Sequence, residues 1–154
     1  MKDYHINVFY SEEDEGYSPL LVEQRIIRRV FKLSHHDDCR IITHLHYKNW
    51  PDHGAPDPAL FHRFLALLDD AHPGSSYPIF VHCAAGIGRS GTFVAAHSLR
   101  KEVLMHRASD GPLSINIAKR ILEMRMQRYK LLSRPTQLRA VIEAVRDAIQ
   151  QRAQ

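Results

Sequence analysis

The eleven residues His82-Cys83-Ala84-Ala85-Gly86-Ile87-Gly88-Arg89-Ser90-Gly91-Thr92 constrain this chain more than any other stretch. Before them stands the short apolar run Pro78-Ile79-Phe80-Val81, the pattern of a strand buried on both faces. After them, over residues 90–106, Phe93, Ala96, Leu99 and Val103 recur at spacings of three and four, which predicts a helix. A buried, parallel strand handed directly to a helix implies α/β architecture. The turn between them aims several unpaired backbone N–H groups at one point, and the helix dipole adds partial positive charge there. Gly86 and Gly88 let the backbone curl while Ala84 and Ala85 keep bulk away, so an anion can sit against bare main chain formed by Ala84, Ala85, Gly86, Ile87, Gly88 and Arg89.

Cys83 begins this cradle. The N–H groups that would hold an anion also stabilise a thiolate, which predicts a thiol pKa below the free value of about 8.5 and a nucleophile at neutral pH. Arg89 is permanently charged and planar, with a fork suited to two oxygens of a phosphoryl group. The hydroxyls of Ser90 and Thr92 are expected to donate towards the sulfur, and His82 to order the loop through a hydrogen bond. The cluster reads as phosphoryl transfer through a phosphocysteine. A departing oxygen then needs a proton, and Asp52 supplies one from Trp50-Pro51-Asp52-His53-Gly54-Ala55-Pro56-Asp57-Pro58, a loop stiffened by three prolines. Trp50 is expected to anchor that loop.

The rest of the chain punctuates clearly. Ile6 to Tyr10 and Ile26 to Leu33 read as β-like patches in a hairpin start, separated by an acidic loop at 11–16. Past a polar turn at 35–38, Cys39, Ile41, Thr43, Leu45 and Tyr47 alternate with Arg40, Ile42, His44, His46 and Lys48, and period two means a strand. Cys39 falls on its more apolar face and is expected to be a small buried hydrophobe; His44 and His46 share the other face as polar strand residues. Asp57-Pro58 predicts a helix start, with Leu60, Phe64, Leu67 and Leu68 on one face and an exit at 73–76. Asn116 predicts a third helix cap ahead of Ile117, Ile121 and Met124, and Pro135 opens a last helix with Leu138, Val141, Ile142, Val145 and Ile149 on its apolar side.

Composition narrows the function classes. With 154 residues, 44% apolar and 25% charged, the chain reads as one domain, 1–154, able to bury roughly two-thirds of its unfolded surface. No apolar run approaches the roughly 20 residues of a membrane span, and the first residues lack a signal core, so an unprocessed, cytoplasmic protein is expected. Two cysteines make neither a disulfide framework nor a structural zinc site. The net charge of +4 favours anionic partners, yet no basic recognition helix interleaved with aromatics points to nucleic acid.

Trp50-Pro51-Asp52-His53-Gly54 and His82-Cys83, followed after five residues by Arg89-Ser90-Gly91-Thr92-Phe93, together resemble the tyrosine-specific protein phosphatase family in motif and in order. Arg125-Met126-Gln127-Arg128 is similar to the family's helix carrying an arginine pair that supports the active-site loops, and Gln137 falls at its second water-positioning glutamine. The resemblance covers about residues 40–150. It implies a twisted central sheet flanked by helices and phosphotyrosine-containing protein substrates. Hydrolysis without metal or cofactor would run through Cys83, Arg89 and Asp52, with the Trp50-to-Asp52 loop closing over substrate.

Two departures accompany the likeness. The chain resembles the C-terminal portion of the family's catalytic domain, without the segment whose tyrosine stacks on the substrate ring, which leaves open a fragment, an isoform-like truncation or a naturally short enzyme that builds its pocket another way. Ser133 and Arg134 stand where the family has its first loop glutamine and a threonine, which leaves open whether Gln137 compensates or phosphocysteine hydrolysis is slow. A phosphotyrosine-binding pseudophosphatase and a cysteine phosphatase of broader specificity are the alternatives left open.

Overall fold

The computed structural model describes residues 7–11, 25–35, 38–72 and 77–153; residues 12–16 of the acidic loop, the turn residues 36–37 and the exit 73–76 lie outside them. The elements run β1 (Asn7–Ser11), β2 (Ile26–His35), β3 (Asp38–Tyr47), α1 (Pro58–Ala71), α2 (Gly88–Met105), α3 (Ile117–Gln127) and α4 (Pro135–Arg152). Helix and strand are mixed, in two compact units: the strands with residues 63–72, and residues 50–62 with 77–153.

In the first unit the strands form an antiparallel sheet in the order β1-β2-β3. Asn7 lies opposite Ser34, and β2 faces β3 from Ile26 opposite Tyr47 to His35 opposite Asp38. Alternation puts His44 and His46 on one face, their ring centroids 5.8 Å apart, with Phe31 5.6 Å from His44. Among the described residues no further His, Cys, Asp or Glu joins them in a metal-sized cluster. Cys39 departs from expectation, because it is exposed rather than buried. Alternation assigns a residue to a face but does not supply a covering layer, and β3 is exposed on both faces from Asp38 to Thr43. Only its far end is half-buried, where Tyr47 meets Phe64 at 5.6 Å.

Residues 78–81 do not form the buried parallel strand that their apolar run predicts. They have no regular secondary structure and no ladder partner among the described residues, and Phe80 is 88% exposed. A strand buried on both faces needs neighbours to take up its N–H and C=O groups, and every strand among the described residues pairs within the antiparallel sheet instead. The strands described form this antiparallel sheet alone, and the expected twisted central sheet is not seen among the described residues.

The second unit is helical. Asp57 caps α1 by accepting from the Leu60 N–H at 3.0 Å, and Asn116 caps α3 by accepting from the Lys119 N–H at 2.9 Å. Pro135 occupies the first turn of α4. α2 buries Phe93, Ala95, Ala96, Leu99 and Val103, and packs against α4. The buried stripe of α4 is Gln137, Ala140, Val141, Ala144, Val145 and Ala148, rotated from the predicted side, so that Ile142 and Ile149 are exposed. A hydrophobicity pattern favours the largest apolar residues, whereas close helix packing selects small ones. The buried face of α1 is Leu60, Phe61, Leu65 and Leu68, with Phe64 and Leu67 half-buried. His62 ties α1 to α4 through Asp147 at 2.8 Å. No helix among the described residues is long and apolar enough to cross a membrane.

Gly91 fixes how the chain beyond α3 meets α2. A methyl group there would come within 2.7 Å of Leu131 Cγ and 2.8 Å of the Leu132 backbone nitrogen. Gly91→Ala gains about 1 kcal/mol of helix propensity but overpacks against main chain, which costs typically 1–3 kcal/mol or more. We expect net destabilisation, read as a melting temperature lowered by a few degrees; a more stable variant would show that residues 131–132 shift freely.

Candidate active site

Cys83 sits at the mouth of the turn that leads into α2. Its Sγ accepts the Gly86 N–H at 3.2 Å, and Gly86 takes φ +65°, a conformation open mainly to glycine, to present that N–H. Burial pushes the thiol pKa up, but the Ser90 side chain and the N–H groups of Ser90, Ile87 and Gly86 outweigh it and hold the thiol at about 7. The Ser90 hydroxyl that contributes to this lowering is buried and has no other partner among the described residues. With a lowered pKa the thiolate is half-populated near pH 7 and disappears as the pH falls further. In a Cys39→Ser background, alkylation by iodoacetamide should rise with pH through a midpoint near 7. A midpoint near the free-thiol value of about 8.5 would remove the influence of the surrounding dipoles.

Two expected donors act elsewhere. Thr92 is fully buried and gives its hydroxyl to the Gly88 carbonyl at 2.9 Å, one turn back in its own helix, as mid-helix threonines commonly do. His82 is exposed, and its ring lies 5.9 Å from Phe80 without a hydrogen bond to the loop. The ordering of the loop comes instead from Arg128, which donates from Nη2 to the Ala85 carbonyl at 3.0 Å and from Nε to the Gly86 carbonyl at 3.3 Å. With those carbonyls drawn outward, the N–H groups are left to face the sulfur. Arg125 braces the next segment, donating to the carbonyls of Leu131 at 2.9 Å and Leu132 at 2.6 Å, while the Leu132 N–H reaches Ile87 O at 3.1 Å.

α2 begins at Gly88, two residues before the predicted start, which places Arg89 in its first turn. From there the guanidinium reaches the Trp50-to-Pro58 loop: Nη2 lies 3.3 Å from Asp52 Oδ1, and Nη1 donates to the Trp50 carbonyl at 3.5 Å. Trp50 is buried edge-on to Phe61, ring centroids 5.4 Å apart, and its indole N–H closes the loop onto the Gly54 carbonyl at 3.1 Å. Asp52 itself remains 67% exposed, also accepting the His53 N–H at 3.2 Å. The expected acid and the expected phosphate ligand are thus an ion pair, a contact that sequence order does not disclose.

Gln137 is 1% exposed, and its amide lies against Gly88, where a methyl group would meet Nε2 at 2.9 Å. Its Oε1 is buried without a partner among the described residues, an arrangement unlike that of a helix-surface amide. Ser133 is exposed. Cys83 also walls an open cleft of about 460 Å³ with Val81, Ala84, Ser90, Val94 and Arg128, which neither Asp52 nor Arg89 lines.

The Cys83 thiol thus lies in a cradle of backbone amides, and Arg89, in the first turn of the helix that follows, pairs with Asp52 on the proline-rich loop. The protein-tyrosine phosphatase family model matches residues 4–147, and the chain belongs to that family. It is 41% identical over 129 residues, 80% of this chain, to Tyrosine-protein phosphatase 2 of Dictyostelium discoideum. It is 40% identical over 117 residues, 71% of this chain, to Tyrosine-protein phosphatase non-receptor type 2 of Homo sapiens. A third relative, Tyrosine-protein phosphatase 99A of Drosophila melanogaster, is 36% identical over 95 residues, 59% of this chain. The matched regions span 33%, 26% and 7% of those relatives' own lengths.

Proposed function

We propose that the chain acts as one catalytic domain that hydrolyses phosphotyrosine in proteins through a phosphocysteine on Cys83. The observation that carries this reading is the Cys83 Sγ accepting the Gly86 N–H at 3.2 Å at the entrance to α2, with Arg89 in the first turn of that helix paired to Asp52 at 3.3 Å. The incoming phosphoryl group displaces Asp52 from Arg89 and takes the guanidinium fork and the N–H groups of residues 84–89 on its oxygens. The thiolate attacks phosphorus, the bond from phosphorus to the tyrosyl oxygen breaks, and that oxygen takes the proton of Asp52 and leaves as tyrosine phenol. Water then attacks the phosphocysteine, Asp52 takes its proton, and phosphate departs as the thiolate is restored. Gln137, buried beside Gly88 with a free oxygen, is placed to orient that water. A working thiolate must stay reduced, so we place the reaction in the cytoplasm.

The test is phosphate release from a phosphotyrosyl peptide with chelator present, wild type beside Cys83→Ser. Steady release by the wild type alone supports the enzyme. Tight peptide binding with no release favours the pseudophosphatase, and equal rates on phosphoseryl or lipid phosphates favour the broader phosphatase.

A further inference from the structure

The residues around Cys83 form two surfaces. At the turn into α2 the sulfur meets the amide cradle, and Arg89 pairs there with Asp52. The second surface is the open cleft of about 460 Å³, which Cys83 walls but Asp52 and residues 87–89 do not. All of the cleft's lining belongs to the second unit. A phosphoryl group in it would have neither the Arg89 fork nor the last amides of the cradle, so its walls suit another ligand.

Val81, Val94 and Leu131 supply an apolar wall, half-buried at the valines and buried at the leucine. Concave apolar surface of this size, within the roughly 300–1,000 Å³ usual for small-molecule sites, favours a ligand with a hydrocarbon body. Arg128 brings a charge to the same lining. Its Nη2 and Nε hold the Ala85 and Gly86 carbonyls, which fixes the guanidinium in place, and Nη1 donates to no described residue. A fixed cation with one free donor edge beside an apolar wall matches a carboxylate. Ser90 completes the lining: it is 7% exposed, and its hydroxyl has no partner besides the sulfur among the described residues. That hydroxyl can turn its hydrogen to an incoming oxygen.

We propose that the cleft is a second ligand site, which takes a small apolar monocarboxylate, its carboxylate on Arg128 Nη1 and its hydrocarbon body against Val81, Val94 and Leu131. A monoanion is favoured over a dianion because the Cys83 thiolate stands in the same wall and repels each added negative charge. Bound there, the ligand disfavours the thiolate, both by its own charge and by drawing the Ser90 hydroxyl from the sulfur. It therefore quiets Cys83 without entering the phosphate cradle. The site does not depend on the reaction proposed above, because its occupancy is read without turnover.

The experiment titrates naphthoate and its neutral counterpart naphthamide into the protein and follows the fluorescence anisotropy of each probe. The wild type should bind the carboxylate about tenfold more tightly than the amide, the scale of a hydrogen bond to a charged group. Arg128→Met should lose that preference and still bind the amide. Val94→Phe, which fills the cleft from α2, should weaken both probes and leave the affinity for inorganic phosphate unchanged, which also reports an intact fold. Added phosphate should raise the apparent Kd of naphthoate only to a plateau, since the two ligands occupy different surfaces. In the Cys39→Ser background, saturating naphthoate should move the midpoint of iodoacetamide alkylation above about 7. Equal affinity for the two probes in the wild type, or undiminished binding to Val94→Phe, overturns the site. An apparent Kd that rises in proportion to phosphate without limit also overturns it, because the carboxylate is then held in the phosphate cradle.

Discussion

Replacing Cys83 with serine is expected to reduce phosphate release from a phosphotyrosyl peptide by on the order of 10⁵-fold or more, the scale on which covalent catalysis fails when its nucleophile is lost. The dipoles that hold the thiol at about 7 cannot ionise an alcohol at neutral pH. Binding should move the other way. The thiolate opposes the phosphate charge, and two unit charges about 4 Å apart repel by roughly 1 to 4 kcal/mol between bulk water and a protein surface. A neutral serine removes that repulsion and keeps the Gly86 N–H available to ligand oxygen. The expected pair of results is lost turnover with retained or tighter peptide affinity, measured by phosphate release and by fluorescence anisotropy. Wild-type turnover in Cys83→Ser would sink the covalent mechanism.

What could be read from residues alone was local. Asp57, Asn116 and Pro135 mark helix starts through interactions confined to one turn, and each acts where its sequence position predicts. The cradle is local in the same sense, since Cys83 and Gly86 are three residues apart. Burial is not local. The apolar run at 78–81 is written like a core strand, but it becomes one only when strands lie beside it, and Phe80 is instead exposed. Cys39 fails for the same reason. The α4 stripe shows a third limit, because Ala140, Ala144 and Ala148 carry little hydrophobic signal although they are the residues a close neighbour requires.

The site divides along the same line. Arg89 and Asp52 are 37 positions apart in the sequence yet 3.3 Å apart in space. Motif spacing identifies both without showing that they pair. Spacing points Thr92 at the sulfur and His82 at the loop, but a hydroxyl within a helix has its own carbonyl to satisfy, and the His82 ring lies exposed beside Phe80. Arg128 was legible only through resemblance. Its two carbonyl bonds supply the physical reason, since they fix the direction of the amides that meet the sulfur.

Removing the Asp52 carboxylate separates two jobs that the structure joins. Tyrosine has a pKa of about 10, so expelling its oxygen unprotonated at neutral pH is costly, and Asp52→Ala should slow phosphotyrosyl turnover by roughly 10²–10⁴-fold. An aryl phosphate with a much more acidic phenol leaves as a stable anion without that proton, and its rate should change little. The ion pair adds an opposing effect on binding. Asp52 occupies Arg89 at 3.3 Å, so its loss frees the guanidinium, and inorganic phosphate should bind at least as tightly to the variant as to the wild type. Lower kcat on the poor leaving group, with undiminished phosphate affinity, is the signature of an acid that also guards the arginine. Equal losses on both esters would take the proton-donating role from Asp52, and weaker phosphate binding would show that the pair supports the cradle instead of competing for it.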